Sequence, residues 1–196
     1  MRSILPPAHT FRGLLCLGAS LLALVAVTNA LAAHSSSLAG GAFGQTQAGS
    51  SLDTGGAGYL DVSGPYTVAG PVSVGKLSAY VAGGASVSEF RGVIYADNGG
   101  QPGALVGVTP EVTIAAGRAV GWVDLTFTTP VSIGAGSFWL GYWYADSNSR
   151  HYFVGQAGAE RFVRATYASS SSPPATFGAA ATSSSSYSVY ATYSTP

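Results

Sequence analysis

Ser88 to Thr109 reads SEFRGVIYADNGGQPGALVGVT, and the way this stretch alternates decides the fold class. Phe90, Ile94 and Ala96 fall on one parity, and Glu89, Arg91, Val93 and Tyr95 fall on the other. A period of two marks a strand whose two faces see different surroundings. Asp97-Asn98-Gly99-Gly100-Gln101-Pro102-Gly103 follows. Asp and Asn bond their own backbone, Gly permits positive φ, and Pro pre-sets a turn. Ala104 to Thr109 then returns as a second apolar, β-branched run. The pattern predicts a β-hairpin. Asp97 and Asn98 are also candidate calcium ligands, but one carboxylate falls far short of the roughly six to eight oxygens that ion takes. No metal or cofactor is expected.

Outward from the hairpin, short apolar runs recur in both directions. They are Tyr59 to Val62, Tyr66 to Val68, Lys76 to Val81, Ser88 to Ala96, Leu105 to Val108, Val112 to Ile114 and Val120 to Phe127. Ser137 to Tyr144, Tyr152 to Val154, Phe162 to Thr166 and Ser188 to Tyr193 complete the set. Spacing of about 8–12 residues, with turn signals between, is the pattern of a sandwich or barrel. The one Ala-rich piece, Thr113 to Val120, is broken by Gly117 and too short for a helix. The expectation is an all-β chain with negligible helix: a single antiparallel β-sandwich of jelly-roll type over residues 43–196. Ser169 to Pro174 and Ala179 to Ser186 read as loops inside it. Pro71-Val72-Ser73-Val74-Gly75 is echoed by Pro130-Val131-Ser132-Ile133-Gly134, and both read as starts of strands.

The N-terminus has a different character. Arg2 and Arg12 precede an apolar run from Gly13 to Val27, and Asn29-Ala30-Leu31-Ala32 closes it. A positive start, a short hydrophobic core and small residues at the end make a secretory signal peptide over residues 1–32. Cleavage is expected after Ala32, with Ala30 the alternative, leaving a flexible tail over 33–42. The run is shorter than the ~20 residues that span a bilayer, so no membrane insertion is expected after cleavage. Leu15, where a lipoprotein signal needs a small residue, argues against a lipid on Cys16. The reading is a secreted, extracellular protein.

Cys16 is the only cysteine, so the mature chain is disulfide-free and holds together by burial. Eight Lys and Arg, less Arg2 and Arg12, leave six against eight Asp and Glu, a net of −2. Charged residues make up 8% of the chain, against about 25% in ordinary domains. No basic patch exists for nucleic acid. A surface of Ser, Thr, Gly and Tyr suits neutral partners or copies of the same chain.

Enzyme chemistry finds little to stand on. A glycosidase needs two carboxyl groups across a sugar bond, and only Glu89 and Glu111 suggest burial. A polysaccharide lyase would centre on Arg150-His151-Tyr152 with Gln156, where Arg150, Tyr152 and Gln156 share a parity. A Ser–His–acid triad lacks a G-x-S-x-G turn, and with only His34 and His151 in the mature chain neither it nor a zinc site assembles. The chain is expected not to be an enzyme.

The aromatics carry more. Val123, Leu125 and Phe127 should face the core, which leaves Trp122, Asp124 and Thr126 on the other face of that strand. Phe138 and Leu140 should do likewise, leaving Trp139, Gly141 and Trp143. Tryptophans on a solvated sheet face would be a stacking platform, with Gly141 keeping the gap between rings flat. Covering by a loop, another sheet or a partner is the competing arrangement. The candidate ligand-binding residues are Trp122, Trp139, Trp143, Tyr144, Asp146 and Tyr152, with Asn148 beside them.

Arg91-Gly92-Val93-Ile94-Tyr95-Ala96-Asp97, with Gly100-Gln101-Pro102-Gly103-Ala104-Leu105 after it, resembles a segment of a widespread secreted bacterial jelly-roll β-sandwich module. Gly121-Trp122-Val123, Ala135-Gly136-Ser137-Phe138-Trp139-Leu140 and Tyr187-Ser188-Val189-Tyr190-Ala191-Thr192-Tyr193 resemble it too. Such modules are similar to carbohydrate-binding domains, and the resemblance spans about Phe43 to Tyr193. It implies a sandwich without a catalytic set. The expected function is binding of a neutral glycan or cell-surface polymer through exposed aromatics. The alternatives are a self-associating structural or adhesive surface protein, and a lyase using His151 and Tyr152.

Overall fold

The computed structural model describes residues 39–53 and 57–196. The signal peptide and residues 33–38 of the expected tail lie outside the described residues. Twelve strands follow one another: β1 (Gly40–Gly44), β2 (Ser51–Leu52), β3 (Tyr59–Val68), β4 (Val72–Gly83), β5 (Ser88–Asp97) and β6 (Pro102–Val108), then β7 (Val112–Ile114), β8 (Gly121–Ile133), β9 (Gly136–Tyr144), β10 (Ser149–Arg164), β11 (Ala181–Tyr187) and β12 (Val189–Ser194). Every pairing is antiparallel. No helix occurs among the described residues.

The strands form two facing layers. One has the order β1-β12-β4-β8. The other runs β10-β3-β9-β5-β6, with β11 and β2 on β10 and β7 on β5. β10 belongs to both: Ser149 to His151 pair with β4, and Glu160 to Arg164 pair with β3. The core lies between the layers, with Val74, Leu77, Ala79 and Leu125 from one side against Phe90, Ile94, Leu140 and Tyr142 from the other. Close contact at its centre depends on Gly92 of β5, where a Cβ would come within 2.8 Å of both Leu77 Cδ1 and Leu125 Cδ1.

The deciding hairpin forms as read. Val93 pairs with Val108 and Asp97 with Pro102. In the turn the Asn98 N–H donates to the Gln101 carbonyl at 2.7 Å, and the Gly100 N–H donates to the Asp97 carboxylate at 3.0 Å. Gly99 and Gly100 take φ of 65° and 82°, which glycine adopts without strain.

Elsewhere the strands run longer than the sequence suggests. Tyr59 to Val62 and Tyr66 to Val68 are one strand, β3, and Tyr152 to Val154 joins Phe162 to Arg164 in the 16-residue β10. Ala181 to Ser186, read as loop, belongs to β11 (Ala181–Tyr187), because Ser and Thr hydroxyls do not prevent the backbone from pairing with β10. Gly40 to Ala42, read as tail, belongs to β1 and pairs with β12. Pro130 to Ile133 does not start a strand but ends β8, and it pairs with its own echo: Val72 with Ile133, Ser73 with Ser132, Val74 with Val131.

Candidate functional site

The outer face of the β1-β12-β4-β8 layer carries four half-buried aromatic rings, Tyr80, Trp122, Tyr152 and Tyr190. Alternation puts them there. Their chain neighbours Ala79, Val81, His151, Val189 and Ala191 are all buried on the core side. Tyr80 of β4 stands directly opposite Trp122 of β8. Ring centroids lie 5.2 Å apart for Tyr80–Trp122, 5.0 Å for Trp122–Tyr190 and 5.8 Å for Tyr80–Tyr152. The planes are tilted or edge-on to one another, at 56° to 72°. The result is a faceted aromatic ridge across four strands.

Beside the ridge the same face is polar and nearly neutral. Ser78 and Lys76 continue the row from Tyr80 along β4, and Asp124 and Thr126 continue it from Trp122 along β8. Lys76 Nζ donates to Asp124 Oδ2 at 2.6 Å, and Ser78 Oγ donates to Asp124 Oδ1 at 2.7 Å. Both hydrogen bonds hold the Asp124 carboxyl below its ordinary range, so it is charged and balanced by Lys76. Thr192 of β12 flanks Lys76 on the other side. Such a face can stack the apolar side of a ring and hydrogen-bond its rim, with no net charge to attract an ion.

The residues expected on the platform divide. Trp122 and Tyr152 are on the ridge. Trp139 and Trp143, expected to be exposed, are 1% accessible, and Tyr144 is 2%. The tryptophans do point outward from their layer, but the chain between β10 and β11 folds back over them. Phe177 packs edge-on to Tyr95 at 5.0 Å, and Tyr167 leans on Trp143 at 4.6 Å. The indole N–H of Trp143 donates to the Ala165 carbonyl at 2.9 Å, and that of Trp139 to Asp97 Oδ1 at 2.8 Å. Arg161 lies 5.1 Å over the Trp139 ring. This segment is tied to β6 by Leu105 N–H to Ala175 and Phe177 N–H to Gly103, each 2.9 Å, which also shields part of that strand edge. Gly141 leaves no flat gap either, because the backbone of Asp61 and Val62 presses against it. Tyr144 turns inward to donate to Asp61 at 2.7 Å. Asp146 and Asn148 build the β9–β10 turn: Asp146 Oδ1 accepts from the Asn148 N–H, and Asn148 Oδ1 from the Ser86 N–H.

His151 and Tyr152, paired in the lyase reading, point to opposite faces of β10. His151 is in the core, stacked on Tyr142, and burial holds its pKa down to about 3, so the ring is neutral. Glu111 accepts from Tyr167 at 2.6 Å, beside Arg91 at 4.0 Å. Asp97 is taken up by the turn and by Trp139.

A second feature went unread in the sequence. Asp53, Asp61 and Glu160 converge with Tyr144 and Tyr187 on a cleft of about 400 Å³. The Tyr187 hydroxyl lies 3.0 Å from both Asp53 Oδ2 and Glu160 Oε1. A phenol has one proton to donate, so the second contact needs a proton on a carboxyl or on a shared position. Burial, reinforced by neighbouring carboxylates, raises the pKa of Asp61 well above its ordinary value and that of Glu160 above its own. Asp61 and Ser63 alternate with Leu60 and Val62 along β3, a polar parity in a strand buried on both faces. That was the available signal. Among the described residues, no group of three or more His, Cys, Asp or Glu is placed to hold a metal ion.

Set against known proteins, the chain matches no family model, no curated protein and no solved structure.

Proposed function

We propose that this is an exported, non-catalytic β-sandwich module that binds a neutral glycan or cell-surface polymer on the ridge formed by Tyr80, Trp122, Tyr152 and Tyr190. The observation that carries the reading is the ridge itself: contiguous, half-exposed rings outside both core clusters. Sugar rings present C–H faces that stack on aromatics and hydroxyls that need polar partners. Asp124, Lys76, Thr126 and Thr192 supply those partners around the rings, with the fully buried Ser78 holding Asp124 in place. The signal-like N-terminus and the resemblance of the hairpin and closing strand to secreted carbohydrate-binding sandwiches agree with it.

The alternative is that the same rings bury against a second copy. The ridge is less suited to that, since the strand residues around it are hydroxyls and an ion pair rather than aliphatic side chains. Calorimetric titration with soluble neutral polysaccharides, alongside mass in solution, separates the two. A monomer that binds a glycan, and loses it in Trp122→Ala, is the expected result. A wild-type monomer that binds none overturns the reading. An oligomer that Trp122→Ala dissociates replaces it with self-association.

A further inference from the structure

The ridge does not end the exposed face. Down β4 from Tyr80 the pairing slips on both sides at the same place: between Val74 and Lys76 against β8, and between Thr192 and Tyr193 against β12. β8 inserts Phe127 to Pro130 there, where β4 has only Gly75. Bulges bend strands and re-aim their side chains. Here two of them open a hollow of about 360 Å³ at Gly75, lined by Ser73, Thr126, Pro130, Thr192 and Tyr193. Lys76 stands between hollow and ridge, held by Asp124.

Gly75 keeps the hollow open. A Cβ added at this position would meet nothing within 4 Å. The absence of a side chain is therefore not required by packing, and what it leaves is accessible space with a mainly apolar lining. Five residues of strand separate Gly75 from Tyr80, roughly 16 Å at ~3.3 Å per residue. A single sugar on the ridge cannot reach that far.

We infer that the Gly75 hollow is a second subsite, so that the face takes an extended internal segment of a neutral polysaccharide, stacked at Trp122 and Tyr80 and followed past Lys76 and Asp124 into the hollow. This rests on the glycan reading of the ridge. It adds that the ligand is a chain several units long rather than a terminal sugar. Recognition is then divided: the ridge holds one portion by stacking, and the Lys76–Asp124 pair and the hollow hold the portion beyond it.

The test uses neutral cello-, laminari-, xylo- and manno-oligosaccharides of two to six units, titrated calorimetrically into the wild type, Gly75→Leu and Ser194→Leu, Ser194 lining the hollow from β12. Both substitutions fill the hollow, from different strands, and circular dichroism with thermal melting shows whether each folds. For the oligosaccharide series that binds, the six-unit member should bind at least about tenfold more tightly than the three-unit one. Either substitution should remove that gain and leave three-unit binding unchanged. Equal affinity for short and long members, or folded variants that bind the long ones like wild type, overturns the second subsite while leaving the ridge intact. Wild type that binds no oligosaccharide or parent polysaccharide overturns the ridge reading, and this one with it.

Discussion

The Tyr142 ring lies flat on the His151 imidazole, with centroids 3.8 Å apart and planes 10° from parallel. Phe90 and Tyr144 close around the same imidazole at 5.2 and 5.1 Å. His151 is thus a neutral aromatic plate in the core, and Nε2 has no hydrogen-bond partner. Its folded pKa, about 3, is below the ordinary value of 6.5. The unfolded chain takes up a proton as pH falls below the ordinary value, and the folded chain does not. The stabilising contribution is therefore intact above pH 6.5 and is lost on the way down toward 3, at up to about 1.4 kcal/mol per pH unit. Urea unfolding at pH 7 and pH 4 should show wild type losing more stability than His151→Phe. Equal losses would contradict the neutral ring.

Asp61 has the opposite sign. Its folded pKa is raised by burial, so its contribution is complete below the ordinary 3.8 and lost as pH rises through the raised value. Asp61→Asn keeps an oxygen to accept from Tyr144 and cannot ionise. Its stability relative to wild type should improve steadily from pH 4 to pH 8, as read by thermal melting. Glu160→Gln should move in the same direction, since burial raises that carboxyl too.

Truncating the tryptophans should sort them by place. Trp143→Ala removes an indole that is 1% accessible and hydrogen-bonded to Ala165, and should cost about 3–5 kcal/mol. Trp122→Ala removes a half-exposed ring from the surface and should cost much less while removing glycan binding. Guanidinium titration of both variants gives the comparison. A Trp143→Ala protein as stable as wild type would mean that the covering segment does not pack as described.

Two glycines should behave in opposite ways. Gly141→Ala puts a methyl into the backbone of Asp61 and Val62 and should prevent a stable fold. Gly75→Ala enters open space and should change stability by no more than about 0.5 kcal/mol. Expression and melting temperature distinguish them directly.

How much of this was legible depends on the range of the interaction. The hairpin at Asp97–Gly103 was readable because its turn is specified by its own residues. The outward face of Trp122 was readable because its alternation with Leu125 and Phe127, both buried, is also local. Trp139 and Trp143 obey the same alternation, and they do face outward. What covers them is Tyr167 and Phe177, brought from far along the chain by a Ser-rich stretch that carries no pattern. Tyr80 and Tyr190 were overlooked for a related reason: each strand gives the ridge only one ring, and the ridge exists only once β4, β8, β10 and β12 lie side by side. Asp53, Asp61 and Glu160 likewise sit on three separate segments. Strand length was underread where Gly64-Pro65 and Gly155 to Gly158 interrupt apolar runs without interrupting the strands.

The burial of two indoles and the exposure of one give the protein a built-in reference emitter. Trp139 and Trp143 sit in dry, fixed surroundings, so acrylamide in solution should scarcely dim them. Trp122 alone should be quenched, and a ligand on the ridge should shield it. The change in the quenchable fraction then reports occupancy against a constant background from the same molecule, with no dye attached.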